Sequence, residues 1–149
     1  MPFHAGPFLK IPLVYYFIFG LMTMLLLMSS GPAHAEWVLV VADDEEGMTM
    51  YVDPGTIRRN GNIVKRWELM DFKAQRTVSG TSFSSVKFYN EYDCAKTLAR
   101  VLVMTQFSGN RGKGHVVNSH DKGQRDWSPV EQQTIGQTLW ELACKEVTR

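Results

Sequence analysis

The chain contains two cysteines, Cys94 and Cys144, and their thiols are its most reactive candidate groups. Each cysteine lies in a patterned, partly apolar stretch, at 91–95 and 139–144. Zinc sites usually pair cysteines two to four residues apart or add nearby histidines, which this spacing does not offer. In an exported chain, two cysteines indicate one disulfide. We therefore expect a Cys94–Cys144 bond that ties a C-terminal helix to a sheet.

A second cluster with reactive side chains is His115, His120 and Asp121. A catalytic relay would need a nucleophile and an orienting group around the histidines, and the surrounding residues show no such pattern. We interpret the three as exposed loop residues, and an enzyme or metal protein built on them is the alternative. The prediction is thus no catalytic residues, no metal site, no cofactor and no enzymatic activity.

An acidic run at 43–46 could in principle supply oxygen ligands for calcium. It lacks the alternating DxDxDG spacing of a calcium loop, and it falls between two stretches with the apolar character of strands. We interpret it as the solvated tip of a hairpin.

The N-terminal segment has the features of a secretory signal. Lys10 is followed by an apolar run at 11–28 and by small residues ending in Ala33-His34-Ala35. This order predicts cleavage after Ala35 and a single mature domain at 36–149. The alternative is an uncleaved anchor, because eighteen apolar residues would just span a bilayer core of roughly 30 Å. The intact mass of the exported protein distinguishes the two.

Charge and loop composition exclude several classes of ligand. The chain has 16 basic and 15 acidic side chains, and loss of Lys10 with the signal leaves a formally neutral domain. A neutral domain gives no indication of nucleic-acid binding. The glycine-rich segment at 108–114 lacks the Gly-Lys-Ser/Thr ending of a phosphate loop, so no small-molecule substrate is evident.

Alternation of apolar and polar residues predicts most of the secondary structure as strands. The predicted strands are 37–42, 48–52, 63–72, 81–93, 95–107 and 115–119, with a polar, mobile segment at 73–80. The stretch 95–107 also fits a helical stripe, and its β-branched residues favour the strand. In 81–93, Val86, Phe88 and Tyr92 share one face and Ser85, Lys87, Tyr89 and Glu91 the other, which predicts a sheet with one wet face.

One helix is predicted near the C-terminus. Thr134 and Gln137 have the spacing of a capping box, and Ile135, Leu139, Leu142 and Ala143 lie on one helical face beside Cys144. The fold class is therefore α+β: an antiparallel sheet of about six strands, with a C-terminal helix packed on it and one disulfide.

The order of these signals resembles the surface-adhesin E family of exported bacterial domains. The matching motifs are Tyr51-Val52-Asp53 before Thr56-Ile57, Val64-Lys65-Arg66-Trp67, Tyr89 leading into Tyr92-Asp93-Cys94-Ala95, Gly114-His115-Val116-Val117, Trp127-x-Pro129-Val130, Thr134-Ile135 and Leu139-Trp140-x-x-x-Cys144. They extend over nearly all of the mature chain, and the two cysteine contexts are the most specific.

The resemblance implies a non-enzymatic exported domain, in the periplasm or associated with the outer envelope, that binds a protein partner and tends to form homodimers. For the founding adhesin type it implies extracellular-matrix partners, bound through a segment that corresponds to 85–107 here. The partner-binding residues expected on the polar sheet face are Lys87, Tyr89, Lys96 and Arg100. Compared with the adhesins of that family, this chain has fewer basic residues in the segment 85–107, and it has no lipid-anchoring cysteine. A structural envelope protein without a role in host adhesion is the alternative.

Overall fold

The computed structural model describes residues 36–121 and 126–145, so the predicted signal at 1–35 and its cleavage site lie outside the described residues. The strands are β1 (Val38–Asp43), β2 (Met48–Val52), β3 (Arg58–Asn60), β4 (Ile63–Val78), β5 (Thr81–Asp93), β6 (Leu98–Phe107), β7 (Val116–His120) and β8 (Ser128–Pro129), and the helix is α1 (Ile135–Lys145).

All strand pairs are antiparallel, in the order β1-β2-β4-β5-β6-β7. The two shortest strands add to the same sheet, β3 beside β4 and β8 beside β6. This confirms the predicted α+β class, and the strand assignment of 98–107 over the competing helix is also confirmed. Helix α1 packs against one face of the sheet, and the opposite face is called the outer face below.

The acidic tip between β1 and β2 is organised by its own carboxylate. Asp43 Oδ1 accepts hydrogen bonds from the backbone N–H groups of Glu45 and Glu46, both at 3.0 Å. Lys73 of β4 forms an ion pair with Asp44 and lowers the pKa of that carboxyl. Backbone N–H groups and Lys73 thus hold two of the carboxylates at this tip.

Turn chemistry also determines the path after β2. Asp53 Oδ1 accepts from the N–H of Gly55 at 3.0 Å and caps a short 3₁₀ turn at Pro54–Thr56. Gly61 has φ +57° and is the first of the two residues that connect β3 to β4, since Asn60 pairs with Ile63. The stretch before Gly61 is the three-residue strand β3, which pairs with the beginning of β4.

The predicted strand 63–72 corresponds to β4, and its predicted end at residue 72 was wrong. β4 continues to Val78, and Arg76, Thr77 and Val78 pair with the beginning of β5 after a bulge that starts at Asp71. Residues 73–80 are exposed, which explains their polar composition. Because residues 73–78 bury no side chain on either face, they do not show the apolar alternation on which the prediction relied.

The start of α1 differs from the predicted capping box by one residue. The Gln137 N–H donates to Thr134 Oγ1 at 3.2 Å, as expected, but the Gln137 side-chain oxygen accepts from the N–H of Gln133 at 2.6 Å. In the last turn of the helix, Lys145 binds Glu141 at 2.5 Å and lowers the pKa of that carboxyl.

The core lies between α1 and the sheet. Leu139 and Ala143 of the helix pack against buried residues of three strands: Met50, Val52, Val64 and Tyr92. The predicted disulfide is present, joining Cys94 after β5 to Cys144 in α1 with 5.6 Å between the Cα atoms. Trp140 Nε1 adds a 3.2 Å hydrogen bond to the carbonyl of Asp93, so helix and sheet are joined both covalently and by packing.

Candidate functional site

The centre of the outer face is an aromatic pair. Trp67 of β4 lies directly opposite Tyr89 of β5, and their rings stack with centroids 5.0 Å apart and an interplanar angle of 30°. Both side chains are half-buried. Such pairs stabilise a sheet by roughly 0.5–1.5 kcal/mol beyond the area they bury. The stacking also holds both rings in one orientation.

Next to this pair lies a charged group with a buried acid at its middle. Glu91, which is 4% exposed, accepts from Lys65 Nζ at 3.1 Å and from Arg100 Nε at 2.5 Å. The Arg100 guanidinium also lies over the ring of Trp127, 4.4 Å from its centroid. Arg100 is therefore held by a carboxylate and by an aromatic ring at the same time.

Lys87 is positioned mainly by aromatic rings. Its Nζ is 5.6 Å from the centroid of Trp37 and 5.1 Å from that of Phe107. Its stem passes close to Gly112, where a Cβ atom would come within 2.2 Å of Lys87 Cε. Among residues 36–121 and 126–145, no carboxylate forms an ion pair with Lys87. Its charge is thus held in place but not neutralised by a near carboxylate.

The loop between β6 and β7 covers one end of the outer face. Ser85 Oγ donates to the carbonyl of Gly109 at 2.6 Å and accepts from the N–H of Gly112 at 2.9 Å. The backbone N–H of Arg111 donates to Asp71 Oδ1 at 2.7 Å, and its guanidinium lies 4.7 Å from the centroid of Tyr51. The prediction of a uniformly wet face was therefore wrong at this end.

The prediction of a wet face was also wrong at Glu91. Its carboxylate is buried and forms ion pairs with Lys65 and Arg100. Of the predicted partner-binding residues, Lys87, Tyr89 and Arg100 lie on the outer face, in register on β5 and β6. Lys96 lies in the exposed turn between those strands, where its N–H donates to Asp93 Oδ1 at 3.1 Å. Three of the four predicted partner-binding residues therefore lie together on the outer face.

Sequence reasoning did not include the tryptophans of this site among its functional residues. Trp67 alternates correctly for the outer face and could have been chosen with Tyr89. Trp37 and Trp127 lie outside regular strands, next to β1 and β8, so no periodicity could assign them to a face. Their contacts with Lys87 and Arg100 depend on the tertiary fold.

A second set of polar side chains lies under α1, with a fully buried ion pair at its centre. Arg66 and Glu68 are 0% exposed and form an ion pair with 2.8 Å between Nε and Oε1. Glu68 also accepts from Tyr92 Oη at 2.5 Å and from Asn90 Nδ2 at 2.7 Å. Arg66 Nη2 donates to the carbonyl of Leu139 at 2.6 Å. This network connects β4 and β5 to the helix.

Burial, together with the charge of Glu68 and the hydrogen bond to it, raises the pKa of the Tyr92 hydroxyl well above its ordinary value of 10.0. In the unfolded chain Tyr92 ionises near that ordinary value, whereas in the folded protein it stays protonated to higher pH. Its contribution to stability is therefore complete below about pH 10 and is lost as the pH rises towards the folded pKa.

We expect Tyr92→Phe to lower the free energy of unfolding by about 1.5–3 kcal/mol at pH 8, because it removes a hydrogen bond to a buried carboxylate. The difference between wild type and variant should narrow above pH 10. Urea unfolding at pH 8 and pH 10.5 measures both effects. A difference that is constant across this range would contradict the assignment.

The histidines lie at the two ends of β7. His115 Nδ1 is 3.1 Å from Ser108 Oγ, and His120 Nε2 is 3.1 Å from Asn118 Nδ2. Within the part of the chain that the structure describes, no three acidic, histidine or cysteine side chains are grouped to hold a metal ion. Of the helices in that part, none is long and apolar enough to cross a membrane.

Comparison with known proteins extends this description. A family model described as surface-adhesin protein E matches residues 37–145. No curated protein sequence matches the chain significantly.

Solved structures with the same fold come from Haemophilus influenzae. Crystal form II of its protein E has a TM-score of 0.61 and 14% identity, covering 78% of this chain and 93% of that one. Protein E from a non-typeable strain has a TM-score of 0.56 and 14% identity, covering 78% and 79% of the two chains. At this identity the likeness establishes the fold alone.

Proposed function

Because the chain belongs to the surface-adhesin protein E family, we propose that it is an exported, non-enzymatic domain whose outer face engages a protein partner. The observation that carries the proposal is the arrangement on that face, where aromatic rings hold Lys87 and Arg100 on either side of the Trp67–Tyr89 pair. The residues proposed to contact the partner are Lys87, Tyr89 and Arg100, with Lys96 at the edge.

Two physical arguments support this surface. Tryptophan, tyrosine and arginine contribute most of the binding energy in protein interfaces, especially where they form a central cluster. Immobilising a flexible side chain on binding costs about 0.5–1.5 kcal/mol. Rings that already restrain Lys87 and Arg100 reduce that cost. A partner with carboxylates or carbonyl oxygens facing these cations would fit.

Family membership implies an exported protein and makes extracellular-matrix proteins the first partners to test. We propose that residues 1–35 are the export signal and that the domain starts at Glu36, which the N-terminal sequence of the exported protein determines. We also propose that the domain forms homodimers, which light scattering measures.

Replacing Lys87 and Arg100 together by alanine should weaken binding to the partner by about tenfold or more, because both cations flank the centre of the proposed interface. Titration of the purified protein against matrix proteins and envelope extracts, followed by surface plasmon resonance, measures the affinity.

The matched control is Lys145→Ala, which removes an exposed cation from α1, on the opposite side of the sheet. It should leave the affinity unchanged. Absence of saturable binding, or equal affinities for the double variant and the control, would refute the proposed surface. The melting temperature of each variant identifies losses that come from unfolding.

The second candidate is a structural envelope protein without host contact. The disulfide and the enclosed Arg66–Glu68 pair favour a rigid domain under either role. Protease added to intact cells separates the two, because an adhesin at the surface is cleaved and a protein inside the envelope is protected.

A further inference from the structure

Arg59 lies beside the disulfide. It is at the middle of β3, opposite Val64 of β4. Its Nη2 donates to the carbonyl of Cys144 at 3.1 Å and is 4.0 Å from Cys94 Sγ. Arg59 is exposed, and both cysteine residues are half-buried. A positive charge thus lies beside the disulfide.

The two sulfur atoms have different electrostatic surroundings. A cation close to Cys94 stabilises that sulfur as a thiolate. Cys144 lies in the last turn of α1 that the structure describes, and the partial negative charge towards the C-terminal end of a helix disfavours an anion there. Both effects make Cys94 the better leaving group.

Among residues 36–121 and 126–145, the other charged groups near the bond do not reverse this difference. Asp93 precedes Cys94, and its carboxylate accepts from the backbone N–H groups of Ala95 and Lys96, at 3.0 and 3.1 Å. Lys96 adds positive charge in the same turn. Lys145, next to Cys144, binds the carboxylate of Glu141 in the same helix. The net effect still favours an anion at Cys94.

We propose that the Cys94–Cys144 bond is a site of thiol–disulfide exchange with an exported protein dithiol, with Arg59 as the positioning residue that directs the attack to Cys144. A thiolate of the dithiol forms a bond to Cys144 Sγ, and the Cys94–Cys144 bond breaks, releasing the Cys94 thiolate next to Arg59. The second thiol of the reductant then attacks the mixed disulfide. The products are two cysteine thiols in this protein and one disulfide in the reductant, which loses the two electrons.

Exchange would remove the covalent link between the C-terminal end of α1 and the sheet, and leave that end held by the Arg59 hydrogen bond and by Ala143. The hydrogen bonds from Trp140 to Asp93 and from Arg66 to Leu139 remain, so the preceding turns of the helix stay docked. The site therefore couples the redox state of the envelope to the attachment of one helix end.

The test is the rate of reduction by dithiothreitol at pH 7, followed by alkylation and mass spectrometry of the purified exported protein. We expect Arg59→Met to slow reduction about three- to tenfold, because the Cys94 thiolate becomes a poorer leaving group. Arg59→Lys should retain most of the rate. A purely structural role predicts the opposite sign, since loss of the bond to the Cys144 carbonyl would loosen the helix and speed reduction. An unchanged or faster rate in Arg59→Met overturns the proposal.

Arg58→Met is the matched control. Its guanidinium donates to the carbonyls of Gly55 and Ile57, at 3.1 and 2.8 Å, so its loss should leave the rate unchanged. A second measurement uses glutathione with rapid alkylation, which traps the mixed disulfide. The adduct is expected on Cys144 with the alkyl group on Cys94. The reverse distribution would also overturn the proposal.

Discussion

Replacing both cysteines by serine is expected to lower the melting temperature by roughly 15 °C, for a domain of this size. The disulfide closes a chain segment of 50 residues. In the chain-entropy model, removing a cross-link that closes a loop of that length lowers the free energy of unfolding by about 4 kcal/mol. Calorimetry of the wild type and the double variant measures the difference.

Loss of the bond should act first on the C-terminal turn of α1. That turn is joined to the sheet by the disulfide, by the Arg59 hydrogen bond to Cys144 and by the small buried side chain of Ala143. The preceding turns have the larger buried side chain of Leu139 and the hydrogen bonds from Arg66 and Trp140. Amide hydrogen exchange should therefore increase most near Cys144.

The control for this prediction is reductant. Excess reductant should lower the melting temperature of the wild type and leave that of the serine variant unchanged. A wild type whose transition does not move once its thiols are shown to be free would mean that the disulfide is not needed to stabilise this fold.

Replacement of Arg66 by methionine is expected to cost about 3–5 kcal/mol, because it leaves the buried Glu68 carboxylate without its counter-ion. Methionine fills much of the same volume, so the loss reports on charge more than on packing. Since small domains are stable by roughly 5–15 kcal/mol, the variant should be close to unfolding at physiological temperature. Urea denaturation measures the change.

A second variant shows that the effect comes from the ion pair. Replacing Arg66 and Glu68 together by methionine removes both charges, and the double variant should be more stable than Arg66→Met alone. Lys145→Met, which opens an exposed pair on α1, should change stability very little. A loss below about 1 kcal/mol in Arg66→Met would contradict the role of the buried pair.

Local sequence was sufficient for most strands and for the helix. The Asn60-Gly61 pair predicts a turn with positive φ, and the turn is present with positive φ at Gly61, while Asn60 belongs to β3. Thr134 has the side chain of an N-cap and accepts the first-turn bond from Gln137. These features depend on atoms within a few residues of each other, so the residue types alone determine them.

The charged core could not be predicted in the same way. Arg66 and Glu68 alternate with Trp67 along β4, and charged residues in a strand ordinarily indicate solvent. Their burial is compensated by hydrogen bonds from Tyr92 of β5 to Glu68 and from Arg66 to the Leu139 carbonyl of α1. Their partners are 24 and 73 positions away in sequence, so no local pattern records them.

The candidate binding site was likewise predicted only in part from the sequence. Alternation on β5 was enough to place Lys87 and Tyr89 on one face, and the two cysteines alone indicated the disulfide. Only the tertiary structure placed Trp37 against Lys87 and Trp127 against Arg100, and closed the loop at 108–114 over Ser85. The reason is that backbone periodicity determines the direction of a side chain within its own strand. Contacts with residues outside that strand depend on how distant segments pack.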